Sequence, residues 1–237
     1  MLKYAVLPAS CSIFLKHLNI HADDTESIKN AWNENWDRKK NETSDIPRYR
    51  HIYLVRHGQY EYSKYPYKLT SLGKKQANLV GKRLSQYVDK FDKVYHSTMV
   101  RAKETCGIIE KEILQKNEAV ACNLLEEGYP VPPEPPIFPD ESDRHYYVNG
   151  QRIETAFRNY FSRPAEGRRV SNELIVCHAN VIRYFICRLL QVNPNAWLRM
   201  CLSNCSITRV TICANGRIII RHIGEDSFFN KQNISLN

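Results

Sequence analysis

His51-Ile52-Tyr53-Leu54-Val55-Arg56-His57-Gly58-Gln59 runs from a buried-strand stretch straight into an arginine, a histidine and a glycine. A short apolar and aromatic run closed by glycine predicts a strand. Packing gives no reason for Arg56 and His57 to follow it, and the carboxyl end of a strand is where open α/β sheets bind ligands. Downstream, Leu72, Leu79, Val80 and Leu84 recur with helical spacing across 69–87, continued by Val88 just past it, which makes strand then helix the first βα unit. The alternation continues with a strand at 93–96, a helix at 101–114, strands at 119–124 and 173–177, and a helix at 181–190. It predicts an α/β fold, a three-layer sandwich of a mostly parallel sheet flanked by helices. Near the end, 206–213 and 217–223 flank Asn215-Gly216, the strongest short signal for a C-terminal antiparallel hairpin.

Length and composition bound what this sheet can belong to. The chain has 237 residues, 43% of them apolar and 11% aromatic, enough for one self-sufficient domain and too much for general disorder. Thirty-four Lys plus Arg against 25 Asp plus Glu give a net charge of +9, a field that gathers anions. The basic residues are scattered and no recognition motif accompanies them, so nucleic acid is not an expected partner. Of eight cysteines, Cys106, Cys177, Cys187 and Cys213 sit inside apolar runs as small hydrophobes, which fits a reducing compartment. Cys201 and Cys205 alone approach metal-ligand spacing, and no metal or cofactor is expected.

The ends read differently. Residues 1–22 hold Lys3 and Lys16 but no acid, and Asp23, Asp24 and Glu26 follow at once. That pattern suits a targeting or membrane-associated segment, with a first core-packing helix or a loose tail as the alternatives. Residues 23–48 form a polar arm interrupted by Trp32 and Trp36, which seat either on their own domain or on a neighbouring protomer. The catalytic domain is expected over 49–223, with a C-terminal tail at 224–237. Between the third and fourth strands lies Pro130-Val131-Pro132-Pro133-Glu134-Pro135-Pro136, then Pro139, six of the eleven prolines, expected as an extended surface loop.

Four successive strand ends carry chemistry. Arg56-His57-Gly58 follows the first, and Leu69-Thr70-x-x-Gly73 opens the next helix. Ser97-Thr98-Met99-Val100-Arg101-Ala102-x-x-Thr105 follows the second, Leu125-Glu126-Glu127-Gly128 the third, and Cys177-His178-Ala179-Asn180 ends the fourth, before a helix that Asn180 can N-cap. This ordered set resembles the histidine phosphatase (phosphoglycerate mutase-like) superfamily over roughly 49–223. The resemblance implies that His57 takes the phosphoryl group, Arg56 and Arg101 bind its oxygens, His178 completes the pocket and Glu127 supplies the proton. Each role has a chemical reason. A neutral imidazole is a nucleophile near pH 7, guanidinium forks match phosphate oxygens, and a carboxyl beside a dianion is favoured protonated. Glu126 competes with Glu127 for the last role. His96 and His145 have no place in the pattern.

Only Gln59 to Lys68 separates the Arg-His-Gly from the Leu-Thr helix, too short for the substrate stretch of mutases in this superfamily, so a phosphatase is implied. Ala156-Phe157-Arg158-Asn159-Tyr160, the stretch from Cys177 to Tyr184, and Trp197-Leu198-Arg199 resemble its mitochondrial Ser/Thr-protein phosphatases. So does Trp32-Asn33-Glu34-Asn35-Trp36-Asp37, similar to an activation motif of that branch that docks on a neighbouring subunit, with Asn33 where the motif has Asp. The implied protein removes phosphate from phosphoserine or phosphothreonine in phosphoprotein substrates, and self-associates into dimers and higher oligomers through the arm. It is expected in mitochondria, at the outer membrane if 1–22 associates with one, and otherwise in the cytoplasm. A small-molecule phosphomonoesterase and a phosphatase-fold scaffold are the rival classes.

Overall fold

The computed structural model describes residues 32–39, 47–113, 118–137 and 143–236. The chain divides into two compact units, Met1–Glu34 and Asn35–Asn237. The segment 1–22 lies outside the described residues, and no helix among those described is long and apolar enough to cross a membrane.

Six strands form one sheet: β1 (Tyr49–Arg56), β2 (Lys93–Ser97), β3 (Val120–Cys122), β4 (Val170–Cys177), β5 (Ile207–Cys213) and β6 (Ile218–Glu225), in the order β3-β2-β4-β1-β5-β6. Pairs β1–β4, β2–β4 and β2–β3 are parallel, while β1–β5 and β5–β6 are antiparallel. The expected hairpin is therefore part of the main sheet, with β5 laid against β1 along its length.

Among the described residues, four helices cover the sheet: α1 (Ser71–Ser85), α2 (Val100–Glu112), α3 (Asp143–Tyr160) and α4 (Ala179–Leu190). Strand side chains alternate between faces, so β1 feeds two cores. Ile52 and Leu54 pack with Ile153, Phe157, Ile182 and Phe185 of α3 and α4. Tyr53 and Val55 pack with Ala77, Val80, Leu84 and Ile109 of α1 and α2. Burial on both faces is why this strand is continuously apolar rather than alternating.

Some features go beyond or revise the sequence reading. Helix α3 was not anticipated, because its first turn is polar and Gly150 interrupts it. That glycine is required, since a Cβ there would come within 2.4 Å of the Pro130 carbonyl. The third strand is short and gives way at Asn123–Leu125 to a 3-10 turn. The C-terminal stretch is packed: Phe229 and Asn233 are buried, and Ser235 exchanges hydrogen bonds with Asn204. The proline-rich loop is pinned to the turn Pro194–Arg199, with Trp197 Nε1 donating to the Val131 carbonyl and Glu134 N to that of Asn195.

The register sets the site. Arg56 lies opposite Cys177, and Ser97 opposite Cys122. All four parallel strands thus end at one level, and the residues that follow them emerge side by side.

Candidate active site

His57 leaves β1 and is 2% exposed. Its Nδ1 lies 2.8 Å from the Gly58 carbonyl oxygen. A carbonyl only accepts, so Nδ1 carries the proton and Nε2 keeps its lone pair. Arg101 Nε donates to that Nε2 at 3.2 Å. Burial, and then the Arg101 and Arg56 guanidiniums, hold the imidazole well below its usual value, so the ring is neutral at physiological pH.

The backbone around it is fixed by close contacts. Thr105 Oγ1 accepts from Gly58 N at 3.0 Å and donates to the Arg101 carbonyl at 2.7 Å, tying α2 to the strand end. Asn204 Nδ2 donates to the His57 carbonyl at 3.1 Å. Thr70 N-caps α1 by accepting from Gly73 N, and a Cβ on Gly73 would come within 1.9 Å of the Gln59 carbonyl oxygen. The Leu-Thr-x-x-Gly pattern is thus a cap plus a place where helix and loop backbones touch.

Arg56 is held by the Leu202 and Leu236 carbonyls, which accept from its Nη1 at 2.6 and 2.9 Å. Its Nε is buried without a hydrogen-bond partner among the described residues. Arg101 stands at the start of α2, its guanidinium 4.6 Å from the Tyr60 ring centroid. His178 is fully buried with its ring 5.0 Å from that of His57, and shares a 2.8 Å hydrogen bond between Nε2 and Ser97 Oγ. Burial and the nearby His57, Arg101 and Arg56 hold it well below the ordinary imidazole range, and its Nδ1 has no hydrogen-bond partner among the described residues. His178 itself is the N-cap residue of α4. Asn180, expected in that position, lies inside the first turn and accepts from Arg183.

The two carboxylates separate. Glu126 accepts from Thr98 Oγ1. Glu127 has its carboxyl pushed up by burial, against the opposing pull of the Gly128 N–H, Arg101 and Arg56. Its loop is stapled by Arg152 of α3, which donates to the carbonyls of Leu124 and Glu126 through Nη1 and of Glu127 through Nη2. Sequence reasoning missed Arg152, along with Ser97 as the partner of His178 and Asn204 as a support for His57. Arg152 belongs to the helix that was itself unforeseen. The five residues expected at strand ends come together: His57, Arg101 and His178 by contact, Arg56 and Glu127 through their charges.

The profile of the histidine phosphatase superfamily (branch 1) matches residues 52–127 and 134–224. This chain belongs to that superfamily. A mitochondrial serine/threonine-protein phosphatase PGAM5 of Mus musculus is 41% identical over 234 residues, covering 87% of this chain and 81% of the relative. Its Caenorhabditis elegans counterpart is 38% identical over 243 residues, 91% of this chain and 84% of its own. Among solved structures, a phosphoglycerate mutase of Plasmodium falciparum aligns with a TM-score of 0.55 at 34% identity, over 75% of this chain and 91% of its own. That structure thus shares its fold with this chain.

The arm contacts lie elsewhere. Trp36 Nε1 donates to the Gly216 carbonyl at 2.9 Å, and its ring stands 6.4 Å from Phe157. Asp37 accepts from Arg163 N at 2.8 Å and forms a buried ion pair with its guanidinium. Trp36 and Asp37 therefore sit on their own domain, where the family resemblance implied a neighbouring subunit. Asn35 belongs to the same unit, and Trp32 and Asn33 to the first. The seat is at the amino end of β1, where Tyr49 pairs with Cys213, opposite the end that carries His57.

Proposed function

We propose that this protein is a phosphomonoesterase that works through a phosphohistidine on His57 and removes phosphate from phosphoserine or phosphothreonine in mitochondrial proteins. The observation that carries the chemistry is the orientation of His57: the Gly58 carbonyl accepts a hydrogen bond from Nδ1–H and leaves the Nε2 lone pair beside Arg101. Nε2 attacks phosphorus as the bond to the serine or threonine oxygen breaks, and Glu127 gives that oxygen its proton. Water then attacks the phosphohistidine, losing a proton to the Glu127 carboxylate, and phosphate leaves. Arg56, Arg101 and His178 bind the phosphoryl oxygens, which is where charge must be neutralised. Raised by burial, the Glu127 carboxyl suits both duties.

Protein substrates and a mitochondrial place rest on the PGAM5 relatives, whose names give both and whose identity extends over most of this chain. Self-association through the arm and membrane association through 1–22 complete the proposal.

The test is His57→Ala. Turnover is expected to vanish, together with the acid-labile label that a phosphorylated substrate leaves on the parent. Chelators are expected to change nothing, since two guanidiniums supply the charge. Retained activity in the variant sinks the phosphohistidine route. Phosphopeptides turned over no faster than O-phosphoserine would favour the small-molecule reading instead.

A further inference from the structure

The loop between β1 and α1 carries Tyr60, Tyr62, Tyr65 and Tyr67 within eight residues. Tyr60 belongs to the site, edge-on to His57 at 5.3 Å and with the Arg101 guanidinium over its ring at 4.6 Å. The others run outward from it in ring contact, Tyr62 6.1 Å and Tyr67 6.3 Å from Tyr60, and Tyr65 5.9 Å from Tyr67. Tyr62 and Tyr65 are 78% and 82% exposed. Water-facing rings in a row carry a hydration cost that folding has not removed, which marks a surface for contact.

The loop is built to hold them. Glu61 N donates to the Lys68 carbonyl and Tyr67 N to the Lys64 carbonyl, both at 2.8 Å. Leu69 N donates to Glu104 of α2 at 2.7 Å, fixing the return of the loop to the helix that carries Arg101. Tyr67 sits at φ +63, a left-handed conformation that a bulky residue adopts only when its surroundings impose it. Tyrosine is suited to the role, since two side-chain torsions fix a large, partly apolar area.

We infer that this tyrosine row is a docking platform for the polypeptide flanking the phosphoserine, and that it favours substrates with an apolar side chain beside the phosphorylated residue. The inference rests on the proposed phosphoprotein phosphatase function. Continuity commits the occupant: from Tyr60, the residue against His57, one branch of rings reaches exposed Tyr62 and another runs through Tyr67 to exposed Tyr65, so a chain whose phosphate reaches His57 has rings beside its flanks. Free phosphoserine has no flanks to place there.

The experiment compares kcat/KM for O-phosphoserine with that for a ten-residue peptide holding one phosphoserine between leucine and proline. The two share a leaving group, so their ratio isolates the flanks. Tyr62→Ala, Tyr65→Ala and the double variant are measured in the full chain, with solution mass and unfolding midpoint recorded for each. The double variant is expected to lower the peptide-to-amino-acid ratio by at least tenfold, chiefly through KM. Each single variant should give part of that loss. An unchanged ratio overturns the inference, as does a fall in solution mass with no change in ratio, which would make the row a contact between copies of the chain. Should the parent itself prefer O-phosphoserine, the failure belongs to the proposed function and shows before any variant is made.

Discussion

His57 and Glu127 form a pair whose protonation is set by burial in opposite senses. The histidine is held low and the carboxyl high, so that the neutral form of each is favoured together. Glu127→Gln should slow phosphopeptide cleavage by about a hundredfold or more, the usual contribution of a positioned acid. A nitrophenyl ester, whose leaving group needs no proton, should suffer far less in the first chemical step, and burst kinetics separate that step from dephosphorylation. Equal loss at that step for both esters would move the acid to another residue. With the nitrophenyl ester, activity should persist as pH falls through 6.5, the ordinary imidazole value, because His57 stays neutral there. A decline centred at 6.5 or above would contradict this. The same depression makes a stability prediction. Below pH 6.5 the unfolded chain binds protons at positions 57 and 178 that the folded chain refuses. Urea midpoints should therefore fall as pH drops below 6.5 and level off above it, as far as these two groups decide.

At the scale of elements, the junction of β1 with α1 is the most constrained. A glycine in a helix is ordinarily improved by alanine, by about 1 kcal/mol. Gly73→Ala should reverse that sign, since its Cβ would lie 1.9 Å from the Gln59 carbonyl oxygen and the loop beside His57 would have to move. Overpacking of this kind costs about 2 kcal/mol or more, and urea unfolding measures it. Thr70→Ala should cost about 1 kcal/mol through the lost cap. In the sequence these two positions were legible as the opening of a helix; the cap and the close approach they supply show only in the fold. The strand ends were legible because runs such as Leu174-Ile175-Val176-Cys177 are buried on both faces and stop abruptly at polar residues. Helix α3 was not, because its Gly150 and polar start obey a contact with the distant proline loop rather than local propensity. Arg152 was lost with it. Its value lies in three carbonyls that only the folded chain brings together. The seat of Trp36 was illegible for the same reason, being assembled from Phe157, Arg163 and Gly216.

Across the whole molecule, that seat and the nucleophile stand at opposite ends of β1, an eight-residue strand and so about 23 Å apart. Among the described residues, Trp36 and Asp37 share no contact with His57, so any influence of theirs on catalysis must pass through the sheet or through a second copy of the chain. Trp36→Ala separates these routes. The buried Asp37–Arg163 pair, with side chains 1% and 4% exposed, fixes the register of the arm, and Trp36 supplies the apolar anchor. Removing such an anchor costs about 2 kcal/mol or more, over tenfold in an association constant. If the arm joins protomers, solution mass and phosphopeptide turnover should fall together, with the far-ultraviolet spectrum unchanged because Trp36 lies outside the helices and strands of the sheet domain. A peptide spanning residues 28–39, added to the Trp36→Ala chain, should then restore turnover saturably without restoring mass, since it fills the seat but links nothing. Turnover that falls while mass holds would make the arm a brace within one chain, and the self-association proposal would be withdrawn. Turnover and mass both unchanged would leave the arm a tether, with the chemistry at the far end of β1 untouched.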